Sequence, residues 1–211
     1  MQFLLLALVV FGGLGLEALL AYCLEPLLYG CGMQDWNTGQ MIVHWILTCI
    51  SWGLVACYAV RDAKKSCGFD LFAEKRPMRH LQWAGIVFSI AVAVIIHYLD
   101  WGGLKIVEEF EKKGALLFTF QHVYYAFETV LFLLIIVFAQ KAFETWFRHP
   151  DIPYGGIICG LTWGFAHTFT KGSLLVGMEG IWFGFLMGAA YLFAGRDVRK
   201  AYVELLVMFI L

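Results

Sequence analysis

Residues 116–139 read LLFTFQHVYYAFETVLFLLIIVFA, a run in which Glu128 is the one acid and no Lys or Arg occurs. A helix needs about 20 mostly apolar residues to cross the hydrocarbon core of a bilayer. The stretch therefore predicts a membrane-spanning helix. Working outward, residues 3–29, 41–60, 81–100, 154–171 and 174–194 meet the same criterion, and 198–211 is apolar but short. The predicted fold is all-α: a polytopic transmembrane helix bundle of about seven helices, forming one domain over 1–211.

Composition points the same way. Hydrophobic residues make up 61% of the chain and charged residues 15%, with a mean hydropathy of +0.76. Soluble domains are about 25% charged, so most of this surface is expected to face lipid, and the bilayer is the first expected partner. A net charge of −1 with no Lys/Arg-rich tract argues against nucleic acid. Cys23, Cys31, Cys49, Cys57, Cys67 and Cys159 form no CxxC and no zinc-like spacing; they read as small packing residues, with no metal or cofactor assigned. The first segment lacks a basic start and a convincing small-x-small cleavage site, and it carries Glu17 and Glu25. It reads as the first span and not as a secretory signal.

The connecting segments set orientation. Arg61 to His80 contains Arg61, Lys64, Lys65, Lys75, Arg76 and Arg79. Residues 101–114 mix acids and bases and read as a short interfacial helix, and 148–153 is a proline-bounded turn. With the N-terminus in the cytoplasm, loops 61–80, 140–153 and 195–200 lie inside and hold eleven of the fifteen Lys and Arg residues. The expected location is a bacterial or archaeal plasma membrane, N-terminus inside.

Ionisable side chains in the bilayer cost roughly 2.5–3.5 kcal/mol each on insertion scales, so they ask for a reason. His44, His97, His122 and His167 all fall in the outer third of the predicted spans, with Glu179 at a similar depth and Glu128 a little deeper. That agreement predicts one polar cluster. Helical spacing gives its direction. Gly156, Gly160 and Gly164 form a small-xxx-small face that His167 continues, and Gly85, Ser89, Ala93 and His97 form another. His44 shares a face with Thr48 and Ser51, while Gln121, Tyr124, Tyr125 and Glu128 fall together, with His122 about a third of a turn away. Gly180, Gly184 and Gly188 lie beside Glu179. Each polar group taken singly, Glu17 included, also reads as an interhelical clamp.

From Tyr125 to the C-terminus the chain resembles the CAAX-protease and bacteriocin-processing (CPBP, or Abi) family of intramembrane proteases, with a CPBP-like core over about 116–211. That family carries EExxxR, then FxxxH, then HxxxN/D on successive helices. Residues 128–133 (ETVLFL) stand at the first motif and 163–167 (WGFAH) at the second, with Trp163 replacing Phe. Thr129 stands for the second glutamate and Leu133 for the arginine. Glu204 is the one ionisable residue near the last motif, and Met208 stands where Asn or Asp belongs. The resemblance implies a glutamic endopeptidase acting on a membrane-associated peptide or protein. In it Glu128 activates water, and His167 polarises the carbonyl or holds the water. His122, His97 and Glu179, together with His44, Tyr125 and Glu204, are supporting candidates. Three other readings stay open: an inactive CPBP-like scaffold binding a membrane partner, a His-rich metal- or haem-binding membrane protein, and a transporter or channel.

Overall fold

A computed structural model describes residues 1–73 and 77–211. Lys75 and Arg76 of the basic loop lie outside the described residues. The chain is an all-α bundle: α1 (Gln2–Leu19), α2 (Glu25–Tyr29), α3 (Thr38–Cys67), α4 (His80–Trp101), α5 (Lys105–Phe147), α6 (Tyr154–Cys159), α7 (Phe165–Lys171), α8 (Leu174–Phe193) and α9 (Val198–Ile210). One π-helical turn, Leu20–Leu24, joins α1 to α2, and a second, Gly160–Gly164, joins α6 to α7. The π-turns make α1–α2 and α6–α7 continuous rods, so the described residues form seven helical segments besides a 3-10 turn at Met33–Asp35.

Five of these, among the described residues, are long and apolar enough to cross a membrane: Gln2–Tyr29, α3, α4, α5 and α8. The expected span 154–171 is helical throughout but interrupted by its π-turn. The expected span 198–211 contains only the 13-residue α9, about 20 Å long at 1.5 Å per residue, against a hydrocarbon core of about 30 Å.

The opening stretch becomes the centre of the bundle. Leu131 to Ala139 are buried without interruption, as expected of a helix that is apolar on every side and surrounded by others. α1, α3, α6 and α9 pack around it. The break between the short helix at 105–113, expected to be interfacial, and the long apolar run falls at Gly114, whose φ of 70° leaves the helical region. Glycine reaches that conformation at no steric cost.

The glycine faces read from sequence meet each other. A Cβ at Gly184 would lie 2.5 Å from the Gly160 backbone, and one at Gly156 would lie 2.7 Å from Gly188 Cα. The α6–α7 rod and α8 therefore touch backbone to backbone, the contact that small residues permit. α1 approaches α3 at Gly13, where the Val55 side chain takes the space a Cβ would need, 2.6 Å away. On α4, Gly85, Ser89 and Ala93 are buried as the stripe predicts, and the ring of Phe193 fills the space over Gly85.

At the basic end, Gln140 ties three elements. Its Nε2 donates to Ile152 O and to Glu144 Oε1, each at 2.8 Å, and its Oε1 accepts from Gly155 N at 2.8 Å. Arg196 donates to Glu144 and to Pro150 O, closing the turn at 148–153 against the start of α9. Lys64 and Lys65 lie in the last turn of α3, where the helix dipole favours positive charge.

Candidate functional site

Glu128 lies on α5 one turn before the fully enclosed stretch and is 8% exposed. Its Oε1 accepts a hydrogen bond from the Trp163 indole Nε1 at 2.9 Å. Trp163 sits in the second π-turn, packed between Phe132 and Phe209. One turn on, His167 Nδ1 lies 2.9 Å from Trp163 O, and its ring meets the indole edge at a centroid distance of 4.8 Å. A carbonyl can only accept, so Nδ1 carries the proton and Nε2 of a neutral His167 is an acceptor. Glu128 and His167 are thus held by one residue, through its side chain and its backbone respectively. Glu128 Oε2 and His167 Nε2 are not among the enclosed, unpartnered polar atoms.

A positive charge reaches Glu128 from another part of the chain. Leu133 is buried and apolar, but Lys105, at the start of the short helix at 105–113, is also buried and interacts electrostatically with Glu128 and Glu109. Its Nζ donates to Phe209 O and lies over the rings of Tyr125 and Phe209, at 5.0 and 4.5 Å from their centroids. The bend at Gly114 folds this short helix back over α5. Glu109 Oε1 therefore accepts from Tyr125 OH at 2.6 Å and from Gln121 Nε2 at 3.3 Å, and Gln121 also donates to Tyr125 OH.

A second polar group lies against the first helices. Fully buried His44 places Nδ1 2.6 Å from Glu25 Oε2 and Nε2 3.9 Å from Glu17 Oε1. Tyr124 OH donates to the same Glu17 oxygen at 2.8 Å. The π-turn explains how two acids eight residues apart reach one histidine. On an uninterrupted α-helix they would stand about 80° apart. The extra residue of a π-turn brings them to the setting of residues seven apart, about 20° from alignment.

No family model, curated protein or solved structure matches this chain. The site therefore rests on its own geometry.

The expected single cluster of histidines does not form. His122 Nδ1 bonds Phe118 O of its own helix at 2.8 Å, and the ring packs on Phe118 and Tyr125. His97 packs on Phe183 of α8, with its Nδ1 buried and unpartnered among the described residues. Glu179 is exposed on the outer face of α8 and takes no part; the glycines beside it use the opposite face for packing. Shared depth put these residues at one level but said nothing of azimuth, which separates them. Among the described residues no group of three or more His, Cys, Asp or Glu could hold a metal ion.

Thr129 returns its hydroxyl to Tyr125 O at 2.7 Å, a helix-internal bond. Glu204 is buried, and neither carboxylate oxygen has a partner among the described residues. Sequence reading missed Glu25, Lys105, Glu109 and the donor role of Trp163. A partial signal existed: Lys105 and Glu109 are four apart on one short helix, the spacing of a shared face. Their direction depends on the bend at Gly114, which spacing alone does not reveal.

Proposed function

We propose that the chain is an integral membrane protein with its N-terminus in the cytoplasm. We further propose that it is a divergent CPBP-type glutamic endopeptidase, cleaving a peptide bond presented within or against the bilayer. The observation that carries this reading is the joint seating of Glu128 and His167 on Trp163. Five long apolar helices and the one-sided distribution of Lys and Arg support the membrane placement and orientation.

The chemistry runs as follows. Trp163 Nε1–H holds Oε1 of Glu128 and leaves Oε2 to accept a proton from water. His167, with Nδ1–H on Trp163 O, offers Nε2 as an acceptor to the same water. Holding the water is thus its role, and not polarising the carbonyl, which would need a donor at Nε2. The hydroxide adds to the scissile carbonyl carbon, the C–N bond breaks, and protonated Glu128 returns its proton to the leaving amine. Peptide and water become acid and amine, and Glu128 is regenerated. Lys105, in electrostatic reach of Glu128, supplies the positive field that Leu133 does not.

The test is cleavage of membrane-embedded peptide libraries by purified protein in lipid, comparing wild type with Glu128→Gln, His167→Ala and Trp163→Phe. Expected losses are more than a hundredfold for Glu128→Gln and about ten- to a hundredfold for Trp163→Phe, which removes a hydrogen bond to a charged group. Wild-type cleavage equalled by Glu128→Gln at matched thermal stability refutes the proposal.

A second reading, an inactive scaffold binding a membrane partner, is favoured by one observation: the place of the family's last histidine holds Glu204, a buried carboxylate without partners among the described residues. It predicts a cellular phenotype that deletion of the gene produces and Glu128→Gln does not.

A further inference from the structure

Between α3 and α5 runs a groove of about 410 Å³ with an almost wholly apolar lining, including Trp45, Cys49, Gly53 and Cys57 of α3 with Val123 and Phe127 of α5. Gly53 keeps it deep: a Cβ there would lie 3.2 Å from the Phe127 ring. From Trp45 to Cys57 the groove follows α3 for about 18 Å at 1.5 Å per residue. One leaflet of hydrocarbon is about 15 Å thick, half of a 30 Å core.

The two ends differ. Cys57 is exposed and apolar in surroundings, whereas at the other end Lys113 Nζ stands 5.7 Å over the Trp45 ring. Lys113 is exposed; Glu109 attracts its charge and Lys171 repels it. A cation on an aromatic ring marks the interfacial end, where Trp and Lys gather in membrane proteins. The groove thus presents a long apolar slot with a positive charge at its mouth.

We propose that this groove binds one anionic phospholipid of the bilayer, an acyl chain lying along α3 and the phosphate on Lys113. The slot is long enough to take an acyl chain from its Trp45 end past the bilayer midplane, its lining is apolar, and the charge at its mouth is complementary to the headgroup. The proposal rests on the membrane placement given above but not on peptidase activity.

The experiment is native mass spectrometry of full-length protein released from nanodiscs of phosphatidylglycerol or phosphatidylcholine. One phosphatidylglycerol is expected to remain bound per chain, retained about fivefold more than phosphatidylcholine, since one Lys near an anionic surface contributes roughly 1 kcal/mol. Lys113→Ala is expected to remove that preference while leaving the fold intact. Cys57→Trp, which fills the slot from its exposed end, is expected to cut retention of both lipids at least tenfold. Glu128→Gln is expected to retain lipid as wild type does, which separates this proposal from the peptidase reading. Equal retention of the two lipids by wild type overturns the proposal. So does unchanged retention in Cys57→Trp, or a lipid-free dimer mass showing that a second copy covers the groove.

Discussion

The pair formed by His44 and Glu25 gives the sharpest test of how this bundle is held. His44 is 0% exposed and Glu25 is 1% exposed, 2.6 Å apart, and they join the second and first helical rods. Breaking a buried ion pair by removing one partner typically costs about 3–5 kcal/mol, because the survivor is left without compensation. Replacing both partners by apolar groups of similar volume is often close to neutral. Glu17, 3.9 Å from the other ring nitrogen, offers His44 partial compensation, so the lower end of that range applies. Glu25→Leu is therefore expected to destabilise the protein by about 3 kcal/mol, a shift of more than a hundredfold in the folding equilibrium. Glu25→Gln retains an acceptor for Nδ1–H and is expected to cost about 1–1.5 kcal/mol. The double variant Glu25→Leu/His44→Leu is expected within about 1 kcal/mol of wild type, less than either single change. The assay is reversible unfolding in mixed micelles or bicelles, followed by tryptophan fluorescence and analysed as a double-mutant cycle. Simple additivity of the two single changes would refute the reasoning, as would a Glu25→Leu variant as stable as wild type.

Three further outcomes follow from the packing and the basic end. Gly184→Val places a side chain against the Gly160 backbone and is expected to cost about 3 kcal/mol by overpacking; Gly12→Ala, with nothing within 4 Å of its added methyl, is expected to be neutral or slightly stabilising in the same unfolding assay. Gln140→Leu leaves the Gly155 N–H and Ile152 O without their partner and is expected to cost about 3 kcal/mol, measured by thermal unfolding and by hydrogen exchange at Gly155. The Lys64 ammonium, with Phe72 N–H, holds the Asp70 carboxyl below its ordinary value. Its contribution is therefore full above the ordinary Asp value of about 3.9 and is lost as pH falls through the lowered value. Asp70→Asn is expected to be slightly less stable than wild type near neutrality, the pair being exposed, with the difference vanishing in strong acid. Melting temperatures of both proteins across pH check the sign.

Residue chemistry and spacing carried much of this protein. The all-α class, the long apolar helices, a short helix ending at Gly114 and the glycine faces of α6–α7 and α8 are all legible in one dimension. Helix formation in an apolar run depends on neighbouring residues, and small-xxx-small spacing repeats on one helical face whatever lies opposite. Glu128 and His167 were singled out in sequence by the family resemblance of their segments, not by spacing.

Tertiary structure alone decided which polar groups meet. Depth along a helix is proportional to residue number, so shared depth could be counted; azimuth around the bundle depends on how rods pack and where they bend. The π-turn at Leu20–Leu24 turned Glu25 onto His44 beside Glu17, the bend at Gly114 carried Lys105 and Glu109 over Tyr125, and packing left Glu179 outside and His97 against Phe183. In residues 116–139, the sequence by itself determined a buried, membrane-length helix with one acid. That the acid faces an indole N–H from residue 163 was decided by the close approach of the helices around it.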